Sequence, residues 1–205
     1  MRSIPRTWAA LAVVVALALP SSAWAGAIKG TVVLAGPAPP STKLNVTIDQ
    51  YVCGTEKDAG DLIVSPQKTV RNAVVWLENP PPGGAGPKPA PASTPAMDQK
   101  ECVFVPRVVV VPAGGTVEFL NSDRLLHNLH ATPQHNPPFN RTQPKGRTIP
   151  ITFPKPEIIR VNCDLHSWMR AWVVVAPHPW YVVTGDDGAF AFDALPPGQY
   201  TVNVW

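Results

Sequence analysis

Residues 163–169 read Cys163-Asp164-Leu165-His166-Ser167-Trp168-Met169, and this short stretch contains a thiol, an imidazole and a thioether. A second imidazole, His127, lies 36 residues before Cys163. One thiolate, two imidazoles and a weakly binding thioether form the donor set with which proteins hold a single copper ion. The sequence therefore predicts a metal centre made of His127, Cys163, His166 and Met169.

Other common metal sites fit this pattern less well. A structural zinc site usually has four Cys or His ligands in close pairs, but the chain has 3 Cys and no Cys-x-x-Cys pair. The Cys-x-x-Cys-His run that attaches haem is also absent. The remaining alternative is that Cys163 is a buried thiol that only packs, with His166 and Met169 as bystanders on a turn.

In the predicted strands around these residues, apolar side chains recur at every second position. Val117 and Phe119 alternate with polar residues, which predicts a half-buried strand leading towards His127. Ile159, Val161 and Cys163 lie on one face of a second predicted strand. The sulfur of Cys163 is therefore expected to point into the protein.

The run His127-Asn128-Leu129-His130, followed by Cys163-x-x-His166-x-x-Met169-Arg170 and an apolar strand, resembles the amicyanin-like cupredoxins, which are type 1 blue copper proteins. The resemblance implies an all-β, Greek-key β-sandwich with one mononuclear type 1 copper. It implies that His127, Cys163 and His166 are equatorial ligands and that Met169 is the axial ligand. It also implies that Asn128 braces the ligand loop through hydrogen bonds.

The same resemblance implies a carrier of single electrons rather than an enzyme. In cupredoxins the imidazole at the His166 position usually reaches the surface, and we expect Leu165 and Trp168 to form an apolar contact patch beside it. The expected partner is a redox protein such as a cytochrome or a dehydrogenase. The residues between the ligands differ from the proline-containing loop of amicyanin, so the resemblance does not identify that partner.

Two other functions compete with electron transfer. The first is copper binding or delivery without electron transfer, although delivery proteins favour Met-rich and His-rich sites and this chain has 3 Met. The second is a thiol-dependent hydrolase that uses Cys163 and His166. Both residues belong to one turn and no acidic or amide partner follows in an obvious triad order, which disfavours the hydrolase.

The amino terminus predicts export. Arg2 and Arg6 precede an apolar stretch (8–19), and Ala23-Trp24-Ala25 is typical of a signal peptide cleaved before Gly26. The stretch is shorter than the roughly 20 residues that span a bilayer, so no transmembrane segment is expected after cleavage. The protein is therefore expected to be periplasmic or secreted. The mature net charge falls from +3 to about +1, and no basic cluster suggests a nucleic-acid partner.

An exported chain with three cysteines leaves one of them unpaired. If Cys163 binds copper, Cys53 and Cys102 remain to form a disulfide. A bridge between Cys102 and Cys163 is the alternative, and it would abolish the metal site.

Composition divides the chain into a signal peptide (1–25), amino-terminal strands (26–79), a proline-rich loop (80–98), a copper domain (99–176) and carboxy-terminal strands (177–205). The tail, with Asp187-Gly188 as a hairpin signal, resembles the carboxypeptidase regulatory-like domain, a transthyretin-like sandwich. Residues 28–32 resemble the opening strand of that family. This implies a second small β-sandwich formed by both ends of the chain. The alternative is a single cupredoxin whose first strand is residues 70–77.

Overall fold

The computed structural model describes residues 26–81 and 94–205. Within these ranges the chain forms eighteen strands and one short helix, which confirms the predicted all-β class. The predicted signal peptide and residues 82–93 of the proline-rich loop lie outside the described residues. The elements are β1 (Gly26–Thr31), β2 (Lys43–Asn45), α1 (Gln50–Cys53), β3 (Glu56–Asp58), β4 (Ile63–Val64), β5 (Val70–Arg71), β6 (Val74–Leu77), β7 (Ala96–Lys100), β8 (Val103–Val105), β9 (Val108–Pro112), β10 (Gly115–Asn121), β11 (His127–Ala131), β12 (Phe139–Gln143), β13 (Ile149–Phe153), β14 (Glu157–Asn162), β15 (Arg170–Ala176), β16 (Tyr181–Val183), β17 (Ala189–Leu195) and β18 (Val202–Val204).

The larger sandwich consists of a five-stranded sheet, β12-β11-β14-β15-β9, and a four-stranded sheet, β13-β10-β7-β8. Their inner faces enclose one apolar core. Val117 and Phe119 of β10 belong to this core and are fully buried, which confirms the predicted alternation. Ile159, Val161 and Cys163 are also buried in it, because alternate residues of a strand point to the same face. The thiol therefore lies at the end of β14 on the inner side of the sheet.

The smaller sandwich joins the two ends of the chain. Strand β1 pairs antiparallel with β17, and β6 pairs antiparallel with both β16 and β18. A second apolar core is formed by Val75, Leu77, Trp180, Phe192 and Leu195. In the described part of the chain, β6 therefore belongs to the sheet of the carboxy-terminal strands and not to the larger sandwich.

A third apolar cluster connects the two sandwiches. Strand β6 has a continuous apolar sequence, and its two faces serve different cores: Val75 points into the smaller sandwich and Val74 packs with Val108 and Val174. A strand that is buried on both faces needs such an unbroken apolar run. The neighbouring strands β9 and β15, which are paired in parallel, thus pack on both of their faces as well.

The predicted hairpin at Asp187-Gly188 is wrong. Gly188 has a positive φ of 64° and its N–H donates to Gly185 O at 3.1 Å, so the turn itself is present. The flanking strands, however, pair with different partners, β16 with β6 and β17 with β1. The turn carries the chain from one sheet to the other because both strands contribute to the core between the sheets. No helix in the described residues is long and apolar enough to span a membrane.

Candidate metal centre

Three of the predicted ligands, His127, Cys163 and His166, meet where β11 lies beside β14. These strands are adjacent in the five-stranded sheet, and His127 is the first residue of β11. The loop after β14 is closed by two backbone bonds: the N–H of Met169 donates to His166 O at 2.8 Å, and the N–H of Cys163 donates to Met169 O at 3.3 Å. The tight turn brings Cys163 and His166 next to each other, and the sheet brings His127 to both.

Three donor atoms form a small, buried triangle. Nδ1 of His127 lies 2.9 Å from Nδ1 of His166, and the Cys163 Sγ lies 3.8 Å and 3.6 Å from these two nitrogens. A point equidistant from the three atoms is about 2.0 Å from each, the length of a bond between a transition-metal ion and imidazole nitrogen. None of the three residues is more than 2% exposed. These three donor atoms could therefore hold a single metal ion.

The outer nitrogen of each imidazole is held by a carboxylate. Nε2 of His127 lies 2.9 Å from Asp123 Oδ2, and Nε2 of His166 lies 3.1 Å from Asp49 Oδ2. An Nε2–H group that donates to a carboxylate leaves the Nδ1 lone pair free to bind a metal, and such carboxylates commonly orient ligating histidines. Each Nδ1 therefore faces the Cys163 sulfur: it donates a hydrogen bond to the sulfur while it carries a proton, and it can bind a metal ion once that proton has left.

The surroundings of Cys163 favour the thiolate. Burial alone would raise the pKa of this thiol, but hydrogen bonds from the two imidazoles and from the backbone N–H groups of Asn128 and His166 outweigh burial and lower the pKa to about 6. The thiolate is the form that binds metal. Burial tends to lower the pKa of His166, but its hydrogen bonds to Cys163 and Asp49 and the charges of these groups outweigh burial. The pKa of His166 is therefore raised.

Asn128 braces the ligand loop. Its side-chain oxygen accepts a hydrogen bond of 2.6 Å from the backbone N–H of Asp164. Its amide nitrogen donates to Asp164 Oδ2 at 3.0 Å and to Asn140 Oδ1 at 2.8 Å. His130 also contacts this carboxylate, with Nδ1 2.8 Å from Asp164 Oδ1, and so takes part in the brace and not in the triangle.

The remaining predicted site residues lie on the same turn. Met169 is buried, with 1% of its surface exposed, in the same apolar core as Cys163. Leu165 is 46% exposed. Trp168 is buried, because its ring packs against His166 and its indole N–H donates to Cys102 O at 3.0 Å. Trp168 therefore does not contribute to an exposed contact patch.

His166 does not reach the surface, contrary to expectation. Its ring is fully buried, since Asp49 covers the outer nitrogen and Trp168 lies against the ring. Asp49 precedes α1, and this region is attached to the larger sandwich by a disulfide between Cys53 and Cys102, whose Cα atoms are 5.4 Å apart. The free cysteine among the described residues is Cys163.

Sequence reasoning missed both carboxylates that hold the imidazoles. Asp123 lies four residues before His127, and this spacing is a weak local signal. No signal in the sequence pointed to Asp49, since a contact between strands or loops that are distant in the chain has no local pattern.

No family model matches this chain, and no curated protein matches it. Among solved structures, a purple cupredoxin from Nitrosopumilus maritimus is 19% identical over 40% of this chain and 99% of that chain, with a TM-score of 0.36. Amicyanin from Paracoccus versutus is 21% identical over 50% of this chain and 97% of that chain, with a TM-score of 0.39. A copper-containing nitrite reductase from Thermus scotoductus SA-01 is 26% identical over 47% of this chain, with a TM-score of 0.38, and only 25% of the reductase is covered.

Proposed function

We propose that this protein holds one type 1 copper ion and carries single electrons between redox partners. The observation that carries the proposal is the convergence of two imidazole nitrogens and one thiolate around a buried point about 2.0 Å from each. A soft thiolate combined with two imidazoles favours copper among the available metals. Bound copper would supply a one-electron couple between Cu(I) and Cu(II).

The protein's contribution to this function is a rigid and dry donor set. His127 begins a strand of the five-stranded sheet, and Cys163 and His166 belong to a loop that begins directly after another strand of that sheet. The carboxylates fix both rings, and the Asn128 bonds fix the loop between Cys163 and His166. Donors that are held in this way need to move little when the charge of the site changes, which favours fast electron transfer.

Met169 is proposed as the axial ligand. It is buried at the end of the ligand loop, and its backbone N–H donates a hydrogen bond to His166 O. A weak axial thioether tunes the reduction potential of a copper site with two imidazoles and a thiolate.

The proposed compartment is the periplasm or the exterior of the cell. The leader pattern at residues 1–25 supports export. The disulfide between Cys53 and Cys102 supports it independently, because disulfides persist in oxidising compartments.

The proposed partner is a redox protein that docks transiently through a small interface, and the exposed Leu165 is part of the contact.

The burial of the donors disfavours copper delivery. A delivery protein needs a site that exchanges its ion with a partner, and such sites are more accessible than this one. Here both imidazoles are fully buried and the thiol is 2% exposed. We therefore expect copper to remain bound when an equal concentration of a competing apo acceptor is added.

A visible and EPR spectrum of the exported protein with one equivalent of copper(II) tests the proposal. The expected result is an intense thiolate-to-copper band in the red region, lost on mild reduction, with narrow hyperfine splitting. The control is His135→Gln, which changes an exposed histidine outside the donor set and should leave the spectrum unchanged. A pale spectrum typical of tetragonal copper, or no binding, would refute a type 1 site.

A further inference from the structure

A short segment of the amino-terminal region covers the metal centre. We call residues 46–53 the cap. Val46 is buried in the core of the larger sandwich, and the partly buried Val52 packs against that core. The N–H of Val46 donates to Thr55 O at 2.9 Å, and the side chain of Gln50 donates to Val46 O at 2.7 Å. The cap is thus a folded element with its own contacts and not a loose loop.

The backbone of the cap aims Asp49 at His166. Asp49 has a positive φ of 55°, a conformation that Asp and Asn tolerate better than most residues. Its carbonyl oxygen accepts hydrogen bonds from the N–H groups of Val52 at 3.0 Å and Cys53 at 2.9 Å. These bonds fix the backbone while the carboxylate reaches Nε2 of His166. The carboxylate remains 28% exposed, whereas the His166 side chain is fully buried.

The disulfide ties the cap to the residues that hold the other imidazole. Cys53 ends α1, and its partner Cys102 has its backbone N–H 2.8 Å from Asp123 Oδ2. The same oxygen lies 2.9 Å from Nε2 of His127. The two carboxylates that orient the two imidazoles are therefore connected through one disulfide.

We propose that Asp49 is a positioning residue of the metal centre: held by the cap and its disulfide, it fixes the His166 ring and separates that ring from solvent. The inference rests on the proposed function, because it assigns Asp49 a role towards the copper that His166 would bind. A carboxylate on the outer nitrogen makes the imidazole a stronger donor, which stabilises the more highly charged Cu(II). Asp49 therefore lowers the reduction potential of the centre, and it removes the His166 edge as a direct contact for a partner.

Two substitutions separate the charge of Asp49 from its coverage of the ring. Asp49→Asn keeps the size of the side chain and removes the charge, and Asp49→Gly removes the side chain. Both replacement residues tolerate the positive φ at this position, so neither is expected to disturb the cap backbone. The matched control is Asp58→Asn, which changes an exposed carboxylate of the nearby β3 that pairs with Lys43.

Three quantities are measured: the copper(II) dissociation constant, the reduction potential and the rate of hydrogen exchange of the His166 Nε2 proton. The exchange rate is monitored by NMR with copper in the Cu(I) state. Asp49→Gly should weaken copper(II) binding by about 10-fold to 100-fold, as loss of such a carboxylate typically does. Each tenfold loss of copper(II) affinity that leaves the copper(I) affinity unchanged raises the reduction potential by about 59 mV. Exchange should be at least about tenfold faster, because water reaches the ring. Asp49→Asn should raise the potential while exchange stays slow.

The proposal is overturned if Asp49→Gly matches Asp58→Asn in affinity, potential and exchange. The exchange measurement on the metal-free protein distinguishes this failure from a failure of the proposed function: slow exchange that becomes fast in Asp49→Gly supports the cap even where copper gives no thiolate band. The double variant Cys53→Ser/Cys102→Ser keeps Asp49 but removes its tether. It should also show faster exchange, and exchange as slow as in the unaltered protein would remove the disulfide from the proposal.

Discussion

Oδ2 of Asp49 lies 3.1 Å from Nε2 of His166, although 117 residues separate the two in the chain. The contact joins the cap to the ligand loop and leaves the His166 ring fully buried. His127 has an equivalent contact with Asp123. Both imidazoles of the candidate metal centre are therefore oriented by carboxylates that approach from outside the triangle of donor atoms.

Replacement of Cys163 by Ser should abolish the red-region absorption of the copper-loaded protein. A hydroxyl is a poor copper ligand and cannot supply the thiolate-to-copper transition. The side chains are similar in size, so the circular dichroism spectrum should change little. A variant that kept the band would show that Cys163 is not the thiolate ligand.

Replacement of Met169 by Leu should change the reduction potential more than copper affinity. In the proposed site the thioether is a weak axial donor, and its loss would leave the three stronger donors in place. Because Leu and Met have similar volumes, the loss of unfolding free energy should be below about 1.5 kcal/mol. The potential is measured by voltammetry and the stability by denaturant titration. An unchanged potential would rule out an axial role for Met169.

Replacement of Asn128 by Ala should loosen the ligand loop. The change removes the acceptor of the Asp164 N–H and leaves polar groups beside the site without their partner. We expect a loss of about 1–3 kcal/mol in unfolding free energy. The copper(II) EPR lines should also broaden, since the loop would adopt more than one arrangement. Asn79→Ala, a change outside this network, is the control, and equal effects of the two substitutions would contradict the assigned brace.

Removal of the disulfide should lower stability through the unfolded state. The bridge joins residues 49 positions apart, and the entropy of closing a loop of this length corresponds to about 4 kcal/mol. The metal-free Cys53→Ser/Cys102→Ser variant should therefore unfold at a lower denaturant concentration. The comparison is made without metal so that copper binding does not contribute to the difference. A loss well below 1 kcal/mol would mean that the reduced chain already keeps these residues together.

Glu157 should contribute stability that depends on pH. Burial tends to raise its pKa, but hydrogen bonds from the Asn136 side chain and from the backbone N–H groups of residues 134–136 outweigh burial and lower it. A folded-state pKa below the unfolded value adds stability above the unfolded pKa, and this stability is lost as the pH falls through the folded pKa. Glu157→Gln should thus be destabilising near neutral pH and progressively less so in acid.

Denaturant titrations between neutral and acidic pH check this dependence. The control is Glu56→Gln, because Glu56 is an exposed residue of β3 without this set of hydrogen bonds. A stability difference between the Glu157 variant and the unaltered protein that stays constant across this range would contradict the assigned role of the carboxylate.

Much of the local structure follows from spacing along the chain. The alternation around Val117 and Phe119 predicted the buried face of β10, and the period of two placed Ile159, Val161 and Cys163 on one inner face. These features could be read from the sequence because the pleat of a strand sends alternate side chains to opposite sides. The spacing of Cys163 and His166 likewise identified two donors on one turn, and the structure brings His127 to them.

Relationships between distant segments required the folded chain. The Asp187-Gly188 turn looked like a hairpin, but its two strands joined different sheets because both contribute to the core of the smaller sandwich. His166 was expected to reach the surface, but it is buried. The cap residue that covers it, Asp49, lies 117 residues earlier in the chain, so no local pattern reveals the contact.

The physical reason is the range of the forces involved. Donor types, strand faces and the tight ligand loop depend on residues only a few positions apart, and so their pattern is visible in the amino-acid order. The packing of whole sheets determines which strands pair and which carboxylate contacts which imidazole. It also determines how deeply the donor atoms are buried. That packing is decided by apolar burial summed over both sandwiches, and no local pattern encodes it.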